Sequence, residues 1–100
     1  MARRLIWSER ARADLREIVE YIAADAPGNA RAVAHRMLHR VRSLSDQPGQ
    51  GRHVPEHEGT DELREVIVQS WRIIYRVTEA EVVIVAVVHS ARLLRNVSPL

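Results

Sequence analysis

Leu63-Arg64-Glu65-Val66-Ile67-Val68-Gln69-Ser70-Trp71-Arg72-Ile73-Ile74-Tyr75-Arg76-Val77-Thr78-Glu79-Ala80-Glu81-Val82-Val83-Ile84-Val85-Ala86-Val87-Val88-His89 decides the fold class of this chain. Its apolar residues recur with a period near two and are largely β-branched, the pattern of strands with two different faces. Gln69-Ser70 and Glu79-Ala80 interrupt it, so three strands are predicted, Leu63–Val68, Trp71–Thr78 and Glu81–His89, joined as consecutive hairpins. With two-residue loops, Val68 sits opposite Trp71 and Thr78 opposite Glu81, and cross-strand neighbours share a face. One face then carries Arg64, Val66, Val68, Trp71, Ile73, Tyr75, Val77, Val82, Ile84, Ala86 and Val88 and is the core side. The other carries Leu63, Glu65, Ile67, Arg72, Ile74, Arg76, Thr78, Glu81, Val83, Val85, Val87 and His89. A one-residue error in either loop would flip a strand and dissolve this arrangement.

Upstream the period changes. Residues 3–7 alternate weakly and end at Ser8, an N-cap residue that closes a short strand and opens a helix. Ala11, Leu15, Ile18 and Ile22 fall at helical spacing, with Val19 widening the stripe. Asp25-Ala26-Pro27-Gly28 ends this helix and starts a second, because Pro is tolerated in a first turn but not in a helix interior. Ala30, Val33, Ala34, Met37, Leu38, Val41 and Leu44 continue the helical spacing, so an antiparallel helical hairpin is predicted. Residues 45–62 read as a long polar loop, and residues 91–100 as a fraying tail. The expected fold is one α+β domain over residues 1–100, in the order β-α-α-β-β-β. The helical hairpin covers one face of a small, mainly antiparallel sheet. Leu15, Ile18, Ile22, Val33, Met37, Val41, Val66, Ile73 and Ile84 are expected to be buried together; the pairing of the first strand stays open.

Composition narrows the chemistry. A chain of 100 residues with 46% hydrophobic residues is one globular domain. Charges break every apolar run well short of the ~20 residues a membrane span needs, and no secretory signal pattern opens the chain. Cys is absent, which excludes thiol catalysis and cysteine-ligated metal and fits a cytoplasmic protein. All 15 basic side chains are Arg. A Lys general acid is therefore impossible, while bidentate Arg contacts to phosphate or carboxylate remain open. The net charge of +2 permits nucleic-acid contact without demanding it. His35 and His39 lie i,i+4 on a helix, but no third ligand completes a metal site, so neither metal nor cofactor is expected.

On the face away from the helices, Arg72, Arg76, Glu65 and His89 converge over an apolar floor and form the candidate functional face. Arg–Glu pairs on a solvated sheet face are also common with no role, being worth only ~0–1 kcal/mol. Trp7, Trp71, Tyr21 and Tyr75 are too few to make a base-stacking surface unless they cluster, and are expected to pack.

The ordered set of segments resembles the RelE/ParE superfamily of bacterial toxins across nearly the whole chain. Leu5-Ile6-Trp7-Ser8 leads into a helix with Ala13-Asp14-Leu15, and Gly51-Arg52-His53-Val54-Pro55-Glu56 follows later. The most specific pieces are Arg72-Ile73-Ile74-Tyr75-Arg76-Val77 and Val87-Val88-His89-Ser90-Ala91-Arg92. The resemblance implies the toxin of a type II toxin–antitoxin pair, neutralised in a hetero-oligomer by a cognate antitoxin from the same operon. ParE-like members inhibit DNA gyrase and pair with a ParD-like antitoxin; RelE-like members are metal-independent endoribonucleases that cut mRNA on the ribosome. For the nuclease, Glu56 would be the base, Arg72 the cation that stabilises the phosphorane, and His89 the acid. The missing Lys residues, and the lack of a Tyr after the last strand, depart from that branch. The His-Ser-Ala-Arg ending looks closer to ParE, with Ser90 where a Gly is usual. A third alternative is a non-toxic member that keeps the fold and antitoxin binding.

Overall fold

The computed structural model describes residues 2–55 and 62–91. Strand β1 (Arg4–Trp7) leads into helices α1 (Glu9–Ala23) and α2 (Pro27–Ser43). A short 3-10 turn (Pro48–Gln50) then precedes β2 (Arg52–His53), β3 (Leu63–Val68), β4 (Trp71–Val77) and β5 (Glu81–His89). Among the described residues these strands make one five-stranded sheet in the order β1-β5-β4-β3-β2. β1 runs parallel to β5, and the other neighbours are antiparallel. The helical hairpin lies on one face, as expected for an α+β domain, and α1 packs chiefly on β5.

Ser8 joins sheet and helix. Its backbone N–H donates to the Ile84 carbonyl (3.0 Å), its hydroxyl donates to the Val85 carbonyl (3.0 Å), and the same oxygen accepts from the Ala11 N–H (3.0 Å). The first turn of α1 is thereby capped and tied to β5 where β1 ends. One turn on, the Asp14 carboxylate accepts from the Val87 N–H (2.9 Å) and from Arg10 Nε (3.1 Å). Asp14 thus stands in for a strand partner that β1 is too short to supply, and satisfies a backbone donor that would otherwise be buried unpaired. Replacing Asp14 with Ala should cost ~1–3 kcal/mol, read as a lower denaturation midpoint. An unchanged midpoint would mean that this carboxylate has no part in holding α1 to β5.

The helix-facing core contains Ile18, Val33, Met37, Val41, Val66, Ile73, Tyr75, Val82 and Ile84, with Leu15 and Ile22 packed against it. Ile73 lies in this core and Ile74 in a second cluster, with Val54, Leu63, Val85, Ala86 and Val88, on the other face. The β3–β4 loop has the predicted two residues, Val68 pairing with Trp71. Gln69 takes a positive φ of 54° there, a conformation in which a side chain is tolerated rather than preferred.

Two expectations are corrected. The loop predicted over residues 45–62 contains a fifth strand, β2, whose Arg52 and His53 pair with Glu65 and Arg64. A two-residue strand leaves no periodicity to read. In β5 the register slips: Ile74 pairs with Ala86 but Tyr75 with Ile84, so Val85 is an extra residue in a β-bulge. Beyond the bulge the faces exchange. Val87 joins the helix-side core, Ala86 and Val88 join the opposite cluster, and His89 pairs with Trp71 on the helix side rather than standing beside Arg72. The predicted tail beyond Ala91 lies outside the described residues.

Candidate functional site

The sheet face away from the helices holds a buried ionic cluster. Glu65, centred on β3, has a fully buried side chain (0% exposed), and both its oxygens are occupied. Arg72 of β4 reaches Oε1 through Nε and Nη2, each at 2.6 Å, and Arg52 of β2 reaches Oε2 through Nε and Nη2, also at 2.6 Å each. The Arg72 side chain is 5% exposed and that of Arg52 62%, so the carboxylate bridges an interior cation and a surface one. Two guanidinium groups thus share one carboxylate, and Arg52 is the one that faces solvent. Alternation places Arg72 two residues before Ile74, the direct partner of Glu65, the diagonal position that long side chains span. Arg76 lies half-buried on the same face, opposite Leu63 and Val83.

Of the residues singled out in the sequence, Glu65, Arg72 and Arg76 share this face, while His89 does not. His89 makes an edge-on contact with Trp71 (ring centroids 5.4 Å apart), and its Nδ1 accepts from the Ala91 N–H (3.1 Å). Around it, Arg10, Asp14 and Glu17 of α1 complete a small cleft of about 150 Å³. Glu56 lies outside the described residues. Arg52 was missed, because its place beside Glu65 depends on β2. Among the described residues no group of three His, Asp or Glu side chains could hold a metal ion, and no helix is long and apolar enough to cross a membrane.

β2 is held in place from the other side of the sheet. The Tyr75 hydroxyl donates to the Pro48 carbonyl (2.7 Å) and accepts from the Gly51 N–H (3.0 Å), and Arg64 Nη1 donates to the Gly51 carbonyl (2.7 Å). Gly51 is required by this approach: a Cβ there would lie 2.5 Å from the Glu65 carbonyl oxygen and would strike the Tyr75 hydroxyl. Burial raises the Tyr75 hydroxyl above its ordinary 10.0, opposed by the Gly51 hydrogen bond and nearby Arg64 and Arg40. The unfolded chain therefore loses this proton first, so the stabilisation is complete below about pH 10 and falls as pH rises further. Tyr75→Phe should remove that alkaline decline while lowering stability at neutral pH by ~1–3 kcal/mol; denaturation midpoints across this range would check both.

A second feature lies on the helices. Trp7, Leu15, Val19 and Leu38 line an open groove of about 630 Å³, bordered by Arg12, Arg16 and Glu20.

Residues 5–94 match the family model described as the ParE toxin of the type II toxin–antitoxin system parDE. The chain belongs to this ParE toxin family. Within the wider RelE/ParE group, it is 38% identical over 90 residues to Toxin RelE2 of Caulobacter vibrioides, a match spanning 89% of this chain and 97% of that protein. Its fold is similar to that in the structure of the chromosomal ParDE system of P. aeruginosa (TM-score 0.74, 22% identity, 88% of this chain and 96% of that one). It is also similar to a chain of the RelBE2 toxin–antitoxin complex of Mycobacterium tuberculosis (TM-score 0.65, 19% identity, 89% and 99%). The ParE-family chain is thus a type II toxin of the RelE/ParE superfamily.

Proposed function

We propose that this toxin inhibits DNA gyrase and is neutralised by a cognate ParD-like antitoxin. The observation that carries the gyrase reading is the state of Arg72. A ribonuclease of this superfamily would aim that guanidinium at the phosphorane, where preorganised positive charge stabilises the transition state. Here it is buried and its Nε and Nη2 are engaged by Glu65. His89, the nominal acid, stands on the other face of the sheet beside Trp71. The match to the ParE family model supports the same reading. The direct test is inhibition of supercoiling by purified toxin.

The second reading, a RelE-like ribosome-dependent endoribonuclease, is favoured by the name of the relative that shares 38% identity, Toxin RelE2. Expression without antitoxin separates the two: DNA-damage signalling and filamentation follow from gyrase inhibition, rapid loss of mRNA and translation from cleavage. Normal growth would instead point to a non-toxic member.

For the antitoxin, the groove between α1, α2 and Trp7 is apolar at its centre and carries two arginines and one glutamate at its border. That combination suits an amphipathic helix with acidic flanks, the helix-in-groove mode of recognition. Val19→Glu sets a carboxylate in the apolar centre and should weaken the toxin–antitoxin complex by more than ~2 kcal/mol, about 30-fold or more. Co-purification and titration of the pair would measure this, and unchanged affinity would place the antitoxin elsewhere.

A further inference from the structure

Helix α2 concentrates the positive charge of the molecule. Its 17 residues carry Arg31, Arg36, Arg40 and Arg42 and no acidic residue, a charge of +4, so the rest of the chain, with eleven Arg against 13 acids, is at −2. The modest total of +2 hides this segregation. At about 100° per residue, Arg31, His35, His39 and Arg42 fall within an arc of roughly 80°. All four are exposed, and they lie opposite the buried Ala30, Val33, Met37 and Val41. Among the described residues, no carboxylate pairs with Arg31, Arg36 or Arg42. Helix α1 contrasts with it: Arg10 pairs with Asp14, and Glu9, Glu17 and Glu20 are interspersed with its arginines. A merely solvated helix face has no reason to exclude acids. The helix dipole favours Arg40 and Arg42 in the last turn, but not Arg31 or Arg36.

We infer that the outer face of α2 is a docking surface for the phosphate backbone of duplex DNA. The arc holds no large apolar side chain; Leu38 sits beside it, turned toward the groove with Trp7. Protein interfaces concentrate their energy in apolar and aromatic anchors, which this face lacks. From Arg31 to Arg42 the stripe is about 16 Å long, enough to reach phosphates on both walls of a major groove about 12 Å wide. Duplex RNA presents a deep, narrow major groove that would not admit the helix. Arg and His contacts to phosphate position without reading sequence, so the binding is sequence-independent and driven by counterion release. The surface stands apart from the gyrase reading, and failure of either leaves the other in place.

Fluorescence anisotropy of a labelled duplex of about 20 base pairs, titrated with the full-length toxin, tests it. Binding is expected with Kd on the order of 10⁻⁴–10⁻⁶ M at moderate salt, and three phosphate contacts, from Arg31, Arg42 and the adjacent exposed Arg36, give a slope of log affinity against log salt of about −2.7. Arg31→Gln/Arg42→Gln should weaken binding by about tenfold or more and bring the slope to roughly −1. Ser70→Glu/Ser90→Glu lowers the net charge by the same amount at the end of the sheet, and should leave affinity within about twofold if α2 is the contact. Three outcomes would overturn the proposal: no binding at low salt, equal losses in both double variants, or duplex RNA or an acidic peptide binding as tightly as the DNA.

Discussion

Replacing Glu65 with Ala should destabilise the toxin by about 3–5 kcal/mol, because it removes the carboxylate that Arg72 and Arg52 share while the Arg72 guanidinium stays buried. Against a total stability of ~5–15 kcal/mol for a domain of this kind, that is a large fraction of what holds the chain folded. The loss should exceed that of Arg52→Ala, since Arg52 is 62% exposed and water can replace its share of the pairing. It should also exceed the cost of removing both buried partners together. Glu65→Leu/Arg72→Met exchanges the pair for apolar groups of similar reach beside Ile74, Ala86 and Val88, and such exchanges are often neutral or stabilising. Urea denaturation of the four proteins would settle the ordering. A loss below ~1 kcal/mol for Glu65→Ala would mean that the cluster is effectively solvated. The same energetics governs how Arg72 variants are read: Arg72→Ala leaves Glu65 with Arg52 alone, so lost toxicity counts as functional only when the folded fraction is measured beside it.

The legibility of this fold in its sequence followed the physics of each element. Helices α1 and α2 were readable because each buries one stripe, with Ser8 and Pro27 marking their starts. The pairing of β3 and β4 was readable because the two-residue loop at Gln69-Ser70 fixes the register, which in turn put Arg72 on the face of Glu65. The bulge was not. Val85 lies within Val82-Val83-Ile84-Val85-Ala86-Val87-Val88, a run apolar on both faces, so one extra residue disturbs no hydrophobic pattern and no Gly marks it. His89 therefore landed on the wrong face by simple alternation. The parallel pairing of β1 with β5 joins residues 77 positions apart and depends on how the hairpin closes. Arg52 was hidden for a related reason, since only the anchoring of the loop by Tyr75 and Gly51 brings it to Glu65.

Purified toxin is expected to block DNA supercoiling by gyrase, and Glu56→Gln and His89→Ala are expected to remain as toxic as the unaltered chain. A phosphodiester-cleaving site needs a base at the 2′-hydroxyl, a cation at the phosphorane and an acid at the leaving oxygen, all within hydrogen-bond reach of one phosphate. Arg72 and His89 lie on opposite faces of the sheet, so they cannot close on the same phosphate in this arrangement. Were the toxin a nuclease, Glu56→Gln would keep size and hydrogen bonding but remove the base, lowering the rate by about 10²–10⁴-fold and abolishing toxicity. A gyrase inhibitor distributes its contact over a protein interface, where a single carboxylamide changes little and only a few anchors matter. Glu56→Gln is the sharper probe of the two, because it does not touch the Trp71 contact that His89→Ala removes. The paired measurement is supercoiling inhibition beside ribosome-dependent mRNA cleavage, with each variant checked for folding. Cleavage by the unaltered toxin that disappears in Glu56→Gln would overturn the gyrase reading and restore Glu56 as a catalytic base.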